Sequence, residues 1–337
     1  MRMTEAGPPA AALAETPLLE REQELRALEE VLSMGAHGSS RLILELVTAD
    51  GYLVRTDAVH EPDLFWALRG GGGNFGVVTA IEFTVYPVEE VYAGTLLFPL
   101  ERVSELWHTW RELLPELPEE LMTWASLWQF PDLPVVPERV RGGSFAILFG
   151  AFLGEEADGR ELLRPVRELG PAMDTFAMGP PGVLGSLALE DWLPPLPYLT
   201  THRLLGELPA SAIDDLVAAG ARPGSPLGML QLRHLGGALA RKPAGAGARA
   251  TLPGEVQLFV VGVAGDEPSA AAIRATLEAV DDAVRPYHVG YYPNFVEHRA
   301  DASTFFDPET WTRLREVKAL YDPEDRFMGN HHIPPSA

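Results

Sequence analysis

Four consecutive glycines, Gly70 to Gly73, run into Asn74, Phe75 and Gly76, and no other stretch of this chain points so directly to chemistry. Glycine has no Cβ, so a ligand can lie against the backbone and positive φ costs little. A loop of this kind, set between a helix and a strand, suits a large planar or phosphorylated cofactor. A helix C-cap accounts for one or two glycines; four that end in Asn-Phe-Gly exceed what a turn needs. Other constellations carry less. His331 and His332 are adjacent, and neighbours on an extended chain face opposite ways, so a surface or turn role outweighs a metal site. His288 and His298 match no zinc spacing. Asp214-Asp215 and Asp281-Asp282 read as solvated helix faces, and no Gly-x-Ser-x-Gly elbow supports serine chemistry.

The elements that must hold the glycine loop are legible. Glu61-Pro62 opens a short helix carrying Phe65 and Trp66, since proline fits a first turn. The strand after the loop alternates, with Val77, Thr79, Ile81, Phe83 and Val85 on one face and Ala80, Glu82 and Thr84 on the other. Before the helix, 42–49 and 52–56 read as a hairpin about a two-residue Asp50-Gly51 turn. From Val91 the texture changes. The stretch 102–114 is an amphipathic helix whose Trp107 and Trp110 read as core. Strands are expected at 122–130, 144–152, 173–178, 228–234 and 256–264, and helices at 155–169, 210–219 and 268–284. The Gly/Ala stretch 243–250 reads as an exposed loop. Segregated strands and helices predict an α+β fold with an antiparallel sheet backed by helices. Near the end, Asp307-Pro308 is an N-cap and first-turn pair. It opens a helix striped by Trp311, Leu314, Val317 and Tyr321. At the start, 1–17 read as a disordered arm and Leu18–Leu32 as a charged amphipathic helix.

The 337 residues carry 48 acidic against 26 basic side chains, a net charge of −22. Such a surface repels phosphate backbones and anionic lipid, which argues against nucleic-acid and membrane partners. There is no apolar run of transmembrane length and no signal-peptide pattern at the start. The absence of cysteine removes disulfides and thiolate chemistry and fits a reducing, cytoplasmic location.

Four blocks occur in order: LVTADGYLVR (46–55), DLFWALRGGGGNFGVVTAIEF (63–83), YYPNF (291–295) and VKALYDPEDRFMGNHHIPP (317–335). Together they resemble the FAD-linked oxidases of the berberine-bridge-enzyme-like family, with its vanillyl-alcohol-oxidase-type FAD domain. The resemblance implies a partial FAD domain built from 41–90 and 287–337 and a substrate domain over 91–286. It implies FAD as cofactor, a small organic substrate and dioxygen as electron acceptor. A hydride would pass from the substrate to flavin N5, since the cofactor carries the redox chemistry. Carried over residue by residue, Gly71, Gly72, Gly73, Asn74, Gly76 and Val78 match the block beside the cofactor. Tyr292 and Asn294 match the Tyr-x-Asn that reaches the flavin, with Tyr292 the candidate catalytic residue. Asn330 matches the polar residue that closes the site. Asn74 also suits a side-chain-capped turn, Tyr292 a half-buried strand tyrosine, and Asn330 a helix–loop junction.

Two departures shape the expectation. Family members carry an N-terminal flavin-binding subdomain with an Arg-Ser-Gly-Gly-His loop whose His is often the covalent link. Here 1–40 hold only Gly7, Gly35 and Gly38, with His37 in AHGSS, so no covalent link is expected and FAD is expected to bind weakly or not at all. Instead, 16–32 resemble the opening of ATP-binding LuxR-type regulators, or equally a generic amphipathic helix. No Gly-x-x-x-x-Gly-Lys-Ser/Thr accompanies it, so the chain reads as a truncated or fused product. Secondly, relatives often read Tyr-x-Asn-Tyr with the last tyrosine as base, whereas Phe295 takes no proton. A neighbouring tyrosine serves only where its surroundings lower a pKa that is ordinarily near 10, and strand alternation turns Glu297 elsewhere. The alternative to an oxidase is a non-catalytic remnant with an incomplete flavin site, at most binding a small molecule.

Overall fold

The computed structural model describes residues 42–187 and 196–337. The expected N-terminal arm and helix lie outside the described residues. Two antiparallel sheets organise the rest. The smaller joins β1 (Leu42–Val47), β2 (Leu53–Thr56) and β3 (Val77–Phe83) in the order β2-β1-β3. The larger has nine strands: β4 (Val91–Pro99), β5 (Leu121–Gln129), β6 (Ser144–Phe152), β7 (Met173–Asp174), β8 (Ala177–Gly179), β9 (Tyr198–Leu205), β10 (Met229–His234), β11 (Val256–Val263) and β12 (His288–Gly290). Its order is β12-β9-β11-β10-β5-β6-β4-β7, with β8 also on β4.

Period-two alternation sorts the large sheet into two faces. Leu127, Leu232, Leu258 and Val260 face the helices Val103–Leu113, Ala210–Ala219 and Glu267–Val284 in one core. Trp107 and Trp110 are buried in it, and the Trp110 indole donates to Thr123 Oγ1 at 2.9 Å. Trp128, Phe149, Met229, Phe259 and Val261 face the other way, and on that open side the molecule presents its cavity.

Several elements depart from the sequence expectation. The hairpin loop runs from Thr48 to Tyr52, because Val47 pairs with Leu53. The Thr48 hydroxyl reaches both Asp50 Oδ1 (2.5 Å) and Tyr52 O (3.1 Å), so it stabilises a wider loop than Asp50-Gly51 alone. The register between β1 and β3 shifts at Glu45/Leu46, with Val78 opposite Leu46 and Ala80 opposite Glu45. Thr79 is the extra residue of a bulge, so the expected alternation does not run unbroken through β3. The expected strand 173–178 is split into β7 and β8, while β4, β9 and β12 lie outside the expected strands. The stretch 243–250 is only half a loop: Ala248 is buried, and its N–H bonds Trp66 O at 3.0 Å. Arg249 N bonds Arg69 O at 3.2 Å, so this segment is docked along the end of the Pro62–Leu68 helix.

The last helix, Pro308–Tyr321, is capped by Asp307, whose carboxylate accepts from Thr310 N. Leu314 and Val317 sit in the second core with Leu46, Leu64, Phe75 and Val296. Beside them lies Lys318, fully buried. Its Nζ donates to Asn74 O (2.8 Å), Phe327 O (2.7 Å) and Asp322 Oδ2 (2.5 Å), with Asp325 at 3.2 Å. Burial alone would raise the Asp322 carboxyl, yet Lys318 and the N–H groups of Phe327 and Arg326 hold it below its ordinary value. A depressed carboxyl stabilises the fold above its unfolded-state pKa, and that contribution is lost as pH falls through the lower folded value. Replacing Lys318 by methionine strands Asp322 as a buried, unpaired charge. The expected cost is about 3–5 kcal/mol, read as a lower urea midpoint at pH 7; a change under ~1 kcal/mol would remove Lys318 from its central role.

Candidate functional site

The glycine run divides into packed and open members. Gly71 is buried, and a Cβ there would lie 2.6 Å from both Ala67 O and the Phe75 ring, so no other residue fits beneath the loop. Gly72 and Gly73 are exposed. Gly72 has φ +67°, and a side chain on Gly73 would enter open space. Asn74, Phe75 and Gly76 then turn inward, and β3 emerges with Val78 41% exposed. Of the expected cofactor-facing residues, Gly72, Gly73 and Val78 present an open wall. Gly71 and Gly76 serve the packing beneath it.

Asn74 is a clamp. Its Nδ2 donates to Gly71 O (2.8 Å) and His331 O (3.0 Å), and its Oδ1 accepts from Gly329 N (3.3 Å) and Ile333 N (3.1 Å). Every hydrogen-bonding capacity of the amide is used within the protein, and Lys318 holds its backbone carbonyl. The side chain therefore ties the glycine loop to the segment Gly329–Ile333 and leaves no donor for a ligand.

That segment reaches a third block. His331 Nε2 donates to Val296 O (3.0 Å) and Pro293 O (3.2 Å), which places its proton on Nε2. The Tyr291–Phe295 block is no strand: Pro293–Phe295 is a 3₁₀ turn. Tyr291 faces the small core against Phe305, with the Arg203 guanidinium 5.3 Å from its ring centre. Phe295 turns to the open face of the large sheet, edge-on to Phe259 at 5.1 Å, with Arg233 over its ring at 5.2 Å. Tyr292 is half-buried, and Asn294 and Asn330 are exposed with no hydrogen bond from their amides among the described residues. Thus three separate blocks meet through Asn74 and His331. His332 pairs with Asp325 at 2.8 Å, and the described residues contain no group of three metal-ligating side chains.

His202 emerges only from the structure, and Glu297, which strand alternation turns elsewhere, is brought to the site. His202, 3% exposed on β9, donates from Nδ1 to Leu258 O and accepts the Tyr292 N–H on Nε2, both at 2.9 Å. Burial lowers its pKa to about 4, and the acceptor role of Nε2 requires the neutral ring. The sequence of β9, YLTTHRLL, has no clean alternation of polar and apolar residues, so nothing in it singled out His202. Glu297 accepts from Thr200 Oγ1 at 3.0 Å and lines a cavity of about 870 Å³ with Trp128, Phe130, Met229, Phe259 and Val261. For a flat ring such as flavin, the side-chain-free backbone at Gly72–Gly73 and the open outer side of β3 fit.

No protein-family model matches the chain. It is 24% identical over 310 residues to an FAD-linked oxidoreductase of Dictyostelium discoideum, covering 90% of this chain and 65% of the relative. It is 24% identical over 318 residues to an uncharacterized FAD-linked oxidoreductase of Bacillus subtilis, covering 90% and 68%. It is 27% identical over 309 residues to (R)-6-hydroxynicotine oxidase of Paenarthrobacter nicotinovorans, covering 86% and 64%. Among solved structures, a berberine bridge enzyme variant superposes with TM-score 0.70 at 19% identity, and a berberine-bridge-enzyme-like protein of Physcomitrella patens with 0.70 at 17%. Each likeness covers 88% of this chain and 66% of the other. The chain spans about two thirds of the length of these relatives. Its fold is that of the vanillyl-alcohol-oxidase-type FAD-binding oxidases. Within that class, the chain is similar in sequence to FAD-linked oxidoreductases and in fold to berberine bridge enzyme and its relatives.

The neutral His202 yields a pH prediction. Its folded pKa of about 4 lies below the ordinary 6.5, so the unfolded chain binds the proton more tightly. Its contribution is complete above about pH 6.5 and is lost as pH falls toward 4, by about 3 kcal/mol in full. Urea unfolding of wild type and His202→Gln at pH 7 and pH 4.5 checks this: the wild type loses more stability between the two. Equal losses would show that His202 is not held neutral.

Proposed function

We infer that the chain acts as an FAD-dependent, oxidase-like oxidoreductase on a small organic substrate. The observation that carries this reading is the meeting of three blocks: the open Gly72–Gly73 wall, the Gly329–Ile333 segment and the Tyr291–Phe295 turn beside the cavity. A flavin bound here supplies a hydride acceptor at N5, and dioxygen is the acceptor that returns it to the oxidised state. The protein supplies the rest. Gly72, Gly73 and Val78 offer a flat surface to the ring. Tyr292 would contribute its hydroxyl from an amide fixed by His202, and Asn294 and Asn330 bring free amides. The apolar cavity walls exclude water and orient the substrate.

The holding of FAD is weak in this reading. Val77, Ile81 and Phe83 on β3 are 57–60% exposed, so the wall beside the ring is left uncovered. The same exposure favours a second reading, a non-catalytic module with an incomplete flavin site. Among the described residues no helix is long and apolar enough to cross a membrane.

Flavin titration separates the two. In the first reading, added FAD binds saturably with a Kd of roughly micromolar order and is largely lost on gel filtration; flavin absorbance that survives the column refutes weak holding. Gly73 has an unstrained φ of −77° and open space above it, so Gly73→Leu is expected to keep the melting temperature and weaken FAD binding at least tenfold. The absence of saturable binding in the wild type would leave the second reading.

A further inference from the structure

We propose that Glu297 is the proton acceptor for a hydroxyl-bearing aromatic substrate held in the apolar cavity. The proposal deepens the oxidoreductase reading above and rests on it for the oxidant. Plain alternation along 291–297 would turn Glu297 away from the sheet. The 3₁₀ turn at Pro293–Phe295 and the burial of Val296 break that pattern, and Glu297 arrives at the cavity instead. It is the only charged side chain among the described residues that line this space. Phe295, which packs on the same wall through Phe259, offers a ring that takes no proton. The carboxylate is held by one hydrogen bond, from Thr200 Oγ1 to Oε2 at 3.0 Å, and Oε1 remains for a ligand hydroxyl.

The walls set the rest of the ligand. Trp128, Phe130, Met229, Phe259 and Val261 suit stacking and apolar contact. The Gln129 amide is engaged by Ser225 O at 3.0 Å. The buried Trp128 indole N–H is without a partner among the described residues. An oligosaccharide presents hydroxyls on every side, and most would be buried without partners against these walls. A fused-ring alcohol buries its carbon skeleton and needs only one acceptor. In the reaction, the O–H proton passes to Glu297 and the hydride of the adjacent C–H passes to oxidised flavin. The products are a carbonyl compound, protonated Glu297 and reduced flavin.

Calorimetric titration of the full chain without added flavin tests the assignment, using 2-naphthalenemethanol, its hydroxyl-free analogue 2-methylnaphthalene, and xylobiose. The alcohol is expected to bind, and xylobiose at least tenfold more weakly or not at all. Val261→Arg, which places a charge on the wall, should weaken both naphthalenes at least tenfold. Glu297→Gln should weaken the alcohol about fivefold, as a charged acceptor becomes neutral, and leave 2-methylnaphthalene within twofold, which also shows that the variant is folded. Tighter binding of xylobiose, or equal losses for both naphthalenes in Glu297→Gln, overturns the proposal. With excess FAD, Glu297→Gln should slow flavin bleaching by the alcohol about a hundredfold with little change in the alcohol concentration at half-maximal rate relative to its measured affinity. Failure of the flavin to bind would count against the oxidoreductase reading while the calorimetric results still judge the cavity and Glu297.

Discussion

A single buried ammonium group organises the region around the glycine loop. Lys318 projects from the apolar side of the Pro308–Tyr321 helix into a space without solvent, where an unpaired charge would be prohibitive. Its partners are the backbone of the glycine loop at Asn74, the backbone at Phe327, and the carboxylates of Asp322 and Asp325. Each must be in place for the charge to be tolerated, so the lysine selects one mutual arrangement of loop, helix and following turn. Asn74 extends the arrangement by taking hold of Gly329, His331 and Ile333, and His331 extends it again to the Pro293–Phe295 turn. Specificity more than raw stability is what a buried ion pair of this sort provides, because its desolvation cost offsets much of its attraction.

Local signals made much of this readable in advance. The Asp307 cap, the amphipathic helices and most strands of the large sheet follow from periodicity and punctuation, and the same patterns place Trp107 and Trp110 in the core. The ordered blocks around Gly70–Gly76, Tyr291–Phe295 and 317–335 carry the likeness to FAD-linked oxidoreductases. What stayed hidden depends on long-range contact. Lys318 looks like any charged residue within a helix until Asn74, 244 residues away, is found against it. His202 sits on a strand that has no clean alternation of polar and apolar residues, so neither β9 nor its histidine stood out. Ala248 and Arg249 read as loop because their partners, Trp66 and Arg69, are supplied by another part of the chain.

Asn74 shows how one residue can suit two readings. Its type and position match a cofactor-side residue, and they match a turn-capping amide equally well; only the saturation of its four hydrogen-bonding positions decides what the side chain does. Glu297 runs the other way. Simple alternation sends it outward, and a three-residue helical turn with Val296 anchored in the small core brings it to the cavity. In both cases the deciding quantity is backbone geometry that residue type does not encode.

The clamp at Asn74 also bears on how the molecule comes into being. The loop leaves the ribosome 257 residues before the His331 carbonyl that its side chain must meet, an interval of roughly 13–50 s at ordinary synthesis rates. Through that interval the glycine loop has neither its lysine nor its closing segment. Contacts of such high contact order form late, because loop-closure entropy opposes them until the intervening sheet has gathered the ends. The nine-stranded sheet therefore acts as the scaffold on which a much smaller centre is finally tied shut.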